Sequence, residues 1–204
     1  AYINKLTSDV RLVSIVHTSP VTGMTVDLEK ITKEVRNVTP NCIIIVDGIQ
    51  HSSHGAIDVQ KYDIDGYVVS PYKMFSRHGY GVAWASDRLC TLNKEQLVDG
   101  PSQNWELGTR DAGSYATFSD VVDYLDWLGS NFTERENTRE RLEASSLAIK
   151  SHEQELLNLV LNGTKDITGL RQNKKIQIIG TSDSKFREGV VSFFHKNKPS
   201  RIIV

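Results

Sequence analysis

Between Asn41 and Gly81 the chain holds two short apolar runs, Cys42–Val46 and Tyr67–Val69. Each is rich in β-branched or aromatic residues, and each ends abruptly at a polar one. Runs of that length and type predict strands buried in a mostly parallel sheet. The first run delivers Asp47 at its C-terminal end, and the second delivers Ser70 followed closely by Lys73. In open α/β sheets, ligands sit outside the carboxyl ends of the strands. An acid and an amine are therefore expected on the rim where a ligand binds.

The flanking sequence supports that architecture. Tyr2–Asp9 reads as the end of a helix and its exit, and Arg11–His17 as a strand. Thr18–Thr25, with Pro20 and Gly23, is a rim loop. Asp27 is a fit N-cap for a helix over Val26–Asn37, with Leu28, Ile31 and Val35 at helical spacing and Pro40 stopping it. A strand, a helix and a strand in succession predict a parallel, right-handed crossover. Gly48–Gln60 reads as loop and short helix, Tyr67–Ser70 as a strand, and Pro71–His78 as a loop. Gly81–Ser86 follows so closely that antiparallel pairing is expected. Asp87–Leu92 is a helical turn, and Asn93–Asp111 is irregular. Ser114–Leu128 is expected as a helix with Tyr115, Phe118, Val122 and Leu125 on one face, ended by Gly129. Thr133–Leu161 reads as a long charged helix, able to bridge two domains, with a stripe of Leu142, Ile149, Leu156 and Val160. Ile176–Ile179 and Gly189–Phe194 read as two strands of a smaller α/β unit.

Composition narrows the function classes. A net charge of −1 over 204 residues gives no basic footprint for nucleic acid. No apolar run approaches the roughly 18 residues of a membrane span, and no signal peptide is visible. Cys42 and Cys90 make no disulfide framework, and two reduced structural thiols in a cytoplasmic protein are expected. The chain opens without Met shortly before a strand and stops at Val204 inside a regular element, so a piece of a longer polypeptide is expected.

Several side chains carry possible chemistry. A rim lysine is most often simply solvated. Lys73, however, is bracketed by Tyr72 and Phe75 and followed by His78-Gly-Tyr-Gly81, where small residues admit a ligand to the backbone. An amine partly desolvated there can act as a nucleophile toward a carbonyl. Asp47 suits either a loop hydrogen-bond acceptor or the partner of a protonated pyridine nitrogen. Gln50 can reach the same ligand, and the hydroxyls of Ser70 and Thr109 suit phosphate oxygens. Of His17, His51, His54 and His78, only His51 and His54 are close in sequence, and no Cys or acid completes a ligand spacing, so no metal site is expected.

Together these residues resemble a known family. Asp47-Gly-Ile-Gln50, His54, Ile57-Asp58, Asp65-Gly-Tyr67, Ser70-Pro-Tyr-Lys73 and Gly79-Tyr-Gly81 are similar in order and spacing to the class V aminotransferases. These are fold-type-I pyridoxal-phosphate enzymes that include the cysteine desulfurases. Trp105-Glu-Leu-Gly-Thr109 resembles the family's E-x-G-T segment, and Arg187–Phe193 resembles the first strands of its C-terminal domain. The resemblance implies an α/β fold: residues 1–128 as the C-terminal half of the cofactor-binding large domain, and residues 129–204 as the linking helix and first part of the small domain. It implies pyridoxal 5'-phosphate as cofactor, an amino acid as substrate and a homodimer as assembly. Lys73 would form the Schiff base and move the α-proton. Asp47 would pair with the pyridine nitrogen, Gln50 with the ring hydroxyl and Ser70 with the phosphate, while Thr109 would reach the neighbouring subunit's phosphate. The reaction stays open among C–S lyase or desulfurase, transaminase and epimerase, beside a non-catalytic scaffold or association role. Tyr72 stands where desulfurases often have His, and Pro20 where many relatives have Asn. The family's substrate-carboxylate arginine and cysteine loop would lie beyond Val204, and its N-terminal phosphate loop before Ala1. A molecule of these residues alone is expected to hold the cofactor poorly.

Overall fold

The computed structural model describes residues 3–101, 104–108, 111–181, 183 and 186–203. Contacts divide the chain into two units. One holds the residues up to Ile15 with Asp27–Ile49 and Asp58–Tyr124, and the other holds Val16–Val26, Gln50–Ile57 and everything from Leu125 onward.

The first unit is built on a four-stranded sheet in the order β1-β2-β3-β4, where β1 is Leu12–Val16, β2 Ile43–Asp47, β3 Gly66–Val69 and β4 Val82–Ala85. Strands β2 and β3 run parallel with Asp47 opposite Val68, and β4 runs antiparallel to β3. The mixed, mostly parallel α/β fold thus matches the reading of the sequence. Helix α1 (Leu28–Val38) joins β1 to β2. The Asp27 carboxylate caps it by accepting from the Lys30 N–H at 3.0 Å. Burial alternates along β1, so Val13 and Ile15 enter the core while Leu12 and Val16 stay exposed. With Leu28, Val35, Ile44, Val46, Ile64 and Tyr67 they form the core of this unit.

Asp65, on the turn into β3, is buried and anchors the opposite end of the sheet from the rim. Its carboxylate accepts from the Ile44 N–H at 2.8 Å and from Arg36 Nη2 at 2.9 Å, and Arg88 Nε lies 3.4 Å away. Both arginines also donate to the Cys42 carbonyl. A buried acid is tolerated because charge and hydrogen bonds are both supplied.

The short helix α2 (Asp87–Cys90) leads to the irregular segment, and α3 (Ala112–Ser130) follows. Two readings of α3 are refined. The buried residues before Leu125 are Ser114 and Val121, in one row with the half-buried Phe118 and Leu125, while Tyr115 is 38 % exposed. Gly129 does not end the helix, which runs on to Ser130.

The second unit contains the end of α3, helix α4 (Thr138–Asn162), and a two-stranded antiparallel sheet of β5 (Ile176–Ile178) and β6 (Phe193–His195). A Cβ on Gly129 would lie 1.9 Å from the Arg141 carbonyl oxygen, so the glycine serves the close approach of α3 to the first turns of α4. Helix α4 starts at Thr138, later than Thr133, where the Asn137 side chain caps it. Its buried residues are Ser145, Leu157 and Leu161, whereas Leu156 and Val160 are about half exposed. The expected stripe is therefore wrong by one residue at its C-terminal half, which is about 100° of helix. The true row steps by four through Ser145, Ile149, Glu153, Leu157 and Leu161 and places an acid among apolar side chains. The last strand begins at Phe193 because Arg187 organises the residues before it. That buried guanidinium donates to the carbonyls of Ile179, Thr181 and Val190. Among the described residues, no helix is long and apolar enough to cross a membrane.

Candidate functional site

In the first unit, the parallel register of β2 and β3 brings Asp47 and Ser70 to the carboxyl edge of two adjacent strands. The backbone turns sharply after Asp47. The Gly48 N–H donates to the Val68 carbonyl at 2.9 Å, and the Ile49 N–H donates to Asp47 Oδ1 at 3.0 Å. Asp47 Oδ2 takes no hydrogen bond among the described residues. Glycine is required at position 48, because a Cβ there would lie 2.1 Å from the ring of the buried Tyr67.

The segment after β3 is more ordered than the loop expected from the sequence. Ser70 N-caps a 3-10 turn over Pro71–Lys73, whose proline is buried in its first turn. The Lys73 N–H donates to the Ser70 carbonyl at 3.0 Å, and the Met74 N–H donates to that of Pro71 at 2.8 Å. The Ser70 hydroxyl caps no backbone amide. Lys73 is half-buried, with its ammonium 5.9 Å from the centre of the Tyr72 ring, and Tyr72 stacks on His78 at 4.3 Å.

Beyond Lys73 the loop is fastened to α3. Ser76 Oγ meets Tyr80 Oη at 2.6 Å and Thr117 Oγ1 at 3.0 Å, and Arg77 pairs with Asp111 at 2.9 Å. The Ser114 hydroxyl and N–H beside Asp111 hold its carboxyl below the usual carboxylate range. Phe75 sits at φ 68, a conformation non-glycine residues seldom adopt, and stands edge-on to Tyr124 at 5.8 Å. The lysine is thus carried by a segment braced against α3.

Gln50 belongs to the second unit, where it precedes a 3-10 turn over His51–Ser53. Its amide nitrogen lies 3.0 Å from His54 Nε2, and His54 Nδ1 lies 2.8 Å from both carboxylate oxygens of Glu153. His51 is buried, lies with its ring centre 3.6 Å from that of His17 at a tilt of 32°, and pairs through Nδ1 with the buried Glu188. Burial, with a smaller contribution from the charge of His51, pushes the His17 imidazole down to about 3. Thr109 lies outside the described residues. Glu153 went unnoticed in the sequence, although its place four residues before Leu157 marks it as an acid on an inward row.

On that edge a carboxylate, a hydroxyl and an amine share one rim, a set that can hold a cationic ring, an anion and a carbonyl carbon. The family model described as Aminotransferase class-V matches residues 1–203. A probable cysteine desulfurase of Mycoplasma genitalium is 33% identical over 100 residues, covering 49% of this chain and 24% of that protein. The aminotransferase-like protein FGM3 of Gibberella zeae is 28% identical over 205 residues, covering 98% of this chain and 46% of that one. The apo structure of a cysteine desulfurase from Thermococcus onnurineus NA1 superposes with a TM-score of 0.73 at 19% identity, over 98% of this chain and 48% of that one. The chain spans less than half the length of these relatives. With a family model matched along nearly its whole length and the same fold in a solved relative, the chain belongs to the class-V aminotransferase family.

Proposed function

We propose that this protein is a pyridoxal-phosphate-dependent enzyme acting on an amino acid, either as a desulfurase-like C–S lyase or as a transaminase. The observation that carries the reading is the common edge of β2 and β3, with Asp47 and Ser70 at adjacent strand ends and Lys73 on the turn that follows. The donor set fits the cofactor. Asp47 Oδ2 is the acceptor for a protonated ring nitrogen, and the second carboxylate oxygen is already fixed by Ile49. The Ser70 hydroxyl suits a phosphate oxygen, and Lys73 offers the one chemistry an aldehyde needs. Bound there, pyridoxal phosphate supplies an electron sink for the charge left at the substrate's α-carbon when a bond to it breaks.

The residues around it have the work of binding and proton transfer. The negative charge of Asp47 keeps the ring nitrogen protonated. Lys73 Nζ would carry the proton to and from the α-carbon. Gln50 bonds the ring hydroxyl. Thr109 would serve the phosphate of a second subunit, which makes a homodimer the working assembly. Residues 1–128 then correspond to the latter half of the large domain and 129–204 to the linking helix and the start of the small one. Two free thiols fit a reducing, cytoplasmic setting.

The test is a cofactor titration of the full-length protein followed by absorbance. Wild type should develop the long-wavelength band of lysine-bound pyridoxal phosphate. Lys73→Ala should not, and Asp47→Ala should bind more weakly while a surface control, Lys61→Ala, behaves as wild type. Identical spectra for wild type and Lys73→Ala would refute the proposal.

A further inference from the structure

The contacts of Gln50 in the second unit define more than a neighbour list. Glu153 lies on the inward row of α4, with its side chain 26% exposed, and His54 is 13% exposed. An acid in such a place needs a partner, and its two oxygens share His54 Nδ1. The donor and acceptor roles follow from the groups themselves. A carboxylate accepts only, so Nδ1 carries the ring proton and donates it. The neutral imidazole then has its lone pair on Nε2, and an amide NH2 group can only donate, so Gln50 Nε2 donates to His54 Nε2. Each contact demands the tautomer the other demands.

We propose that Glu153 and His54 are positioning residues for Gln50: the carboxylate selects the His54 tautomer, and the tautomer selects which way round the Gln50 amide is held. With the proton on Nε2 instead, two N–H groups would face each other, and the amide would turn over to present its carbonyl to the ring. That rotation exchanges donor for acceptor on the outer side of Gln50. The inference rests on the reading of Gln50 as the residue that bonds the cofactor's ring hydroxyl, and it extends that contact back to α4. The surroundings favour a fixed arrangement. Lys150, Arg187 and Glu188 are the charged groups that, with Leu157 and Gly189, close around His54 and Glu153, leaving a gap of about 10 Å³. His51 lies one turn earlier and is engaged with Glu188, so it does not compete for Glu153.

The experiment uses the full-length protein with 15N-labelled histidine rings, read by NMR before any cofactor is added. Wild type should show His54 protonated at Nδ1. Glu153→Ala should move the proton to Nε2 or give a mixture, and Glu153→Gln, whose amide oxygen still accepts, should restore the Nδ1 form. A His54 tautomer unchanged in Glu153→Ala overturns the proposal by itself. The second measurement is the dissociation constant for pyridoxal phosphate. Gln50→Ala and Glu153→Ala should each weaken binding by about two- to tenfold, the worth of one neutral hydrogen bond. The double variant should be no weaker than the worse single one, and additive losses overturn the coupling. If Gln50→Ala binds the cofactor as wild type does while the tautomer responds to Glu153 as stated, the cofactor role of Gln50 is what has failed.

Discussion

Asp65→Ala is the substitution whose cost the structure defines most closely. The side chain is 3 % exposed. Three losses follow from its removal. The N–H of Ile44, a residue with no exposed surface, loses the carboxylate that accepts it at 2.8 Å. An orphaned buried donor costs about 1–3 kcal/mol. Arg36, with its side chain 14% exposed, loses the closer of its two acids, since Asp63 lies at 3.4 Å on the surface. Breaking a buried ion pair by removing one partner costs about 3–5 kcal/mol in total, most of it from the charge left behind. Arg88 is 40% exposed and 3.4 Å away, so water replaces most of that contact. A net loss of about 3–5 kcal/mol is expected, and Asp65→Asn, which keeps an acceptor for Ile44 but no charge, should lose less. Urea unfolding of the full-length protein followed by circular dichroism gives the number. A loss below about 1 kcal/mol for Asp65→Ala would refute the reasoning, because it would mean that neither the amide nor the arginine depends on this acid.

Other consequences are as direct. Gly129→Ala gains about 1 kcal/mol in helix propensity, but its Cβ would meet the Arg141 carbonyl at 1.9 Å, and a backbone atom cannot swing aside. The clash should win, so a thermal melt should show a net destabilisation of about 1–3 kcal/mol. His17, whose imidazole titrates near 3 in the fold against 6.5 ordinarily, binds its proton more readily when unfolded. Its contribution is therefore complete above about 6.5 and is lost as pH falls toward 3, at up to about 1.4 kcal/mol per pH unit. His17→Phe should flatten the stability profile in that window, and an unchanged slope would contradict the burial argument. Gly48→Ala should disturb the turn after Asp47 through Tyr67, and the double variant Gly48→Ala, Tyr67→Leu should recover part of the loss in a melt.

The parts read correctly from sequence share a cause. Strands β1 to β3 are short apolar runs rich in β-branched residues, β4 follows β3 after a short connection, and α1 has a capping Asp27 with Leu28 and Val35 on its buried face. Such signals are local, so they survive without knowledge of the neighbours. The misread parts are those where two phases were chemically equal. Leu156 beside Leu157 and Val160 beside Leu161 let either row of α4 pass for the inner one. Choosing the outer row left Glu153 out of account, because it is not among that row's apolar residues. Gly129 looked like a cap because a glycine that ends a helix and one that admits a crossing backbone are the same residue. The placement of Asp47 and Ser70 at neighbouring strand ends, with Lys73 on the next turn, followed from the same local signals, because a strand's end fixes which residues reach the rim. The Glu153–His54 pair joins positions 99 residues apart, a distance no periodicity reports.

The central claim is that Lys73 is the amine that takes the cofactor, and borohydride reduction tests it most directly. Full-length protein would be incubated with pyridoxal phosphate, reduced, digested and mapped by mass spectrometry. The account predicts a pyridoxyl group on the peptide containing Lys73 and none in Lys73→Arg. A modification spread over surface lysines such as Lys61 and Lys94, with Lys73 unmodified, would contradict it.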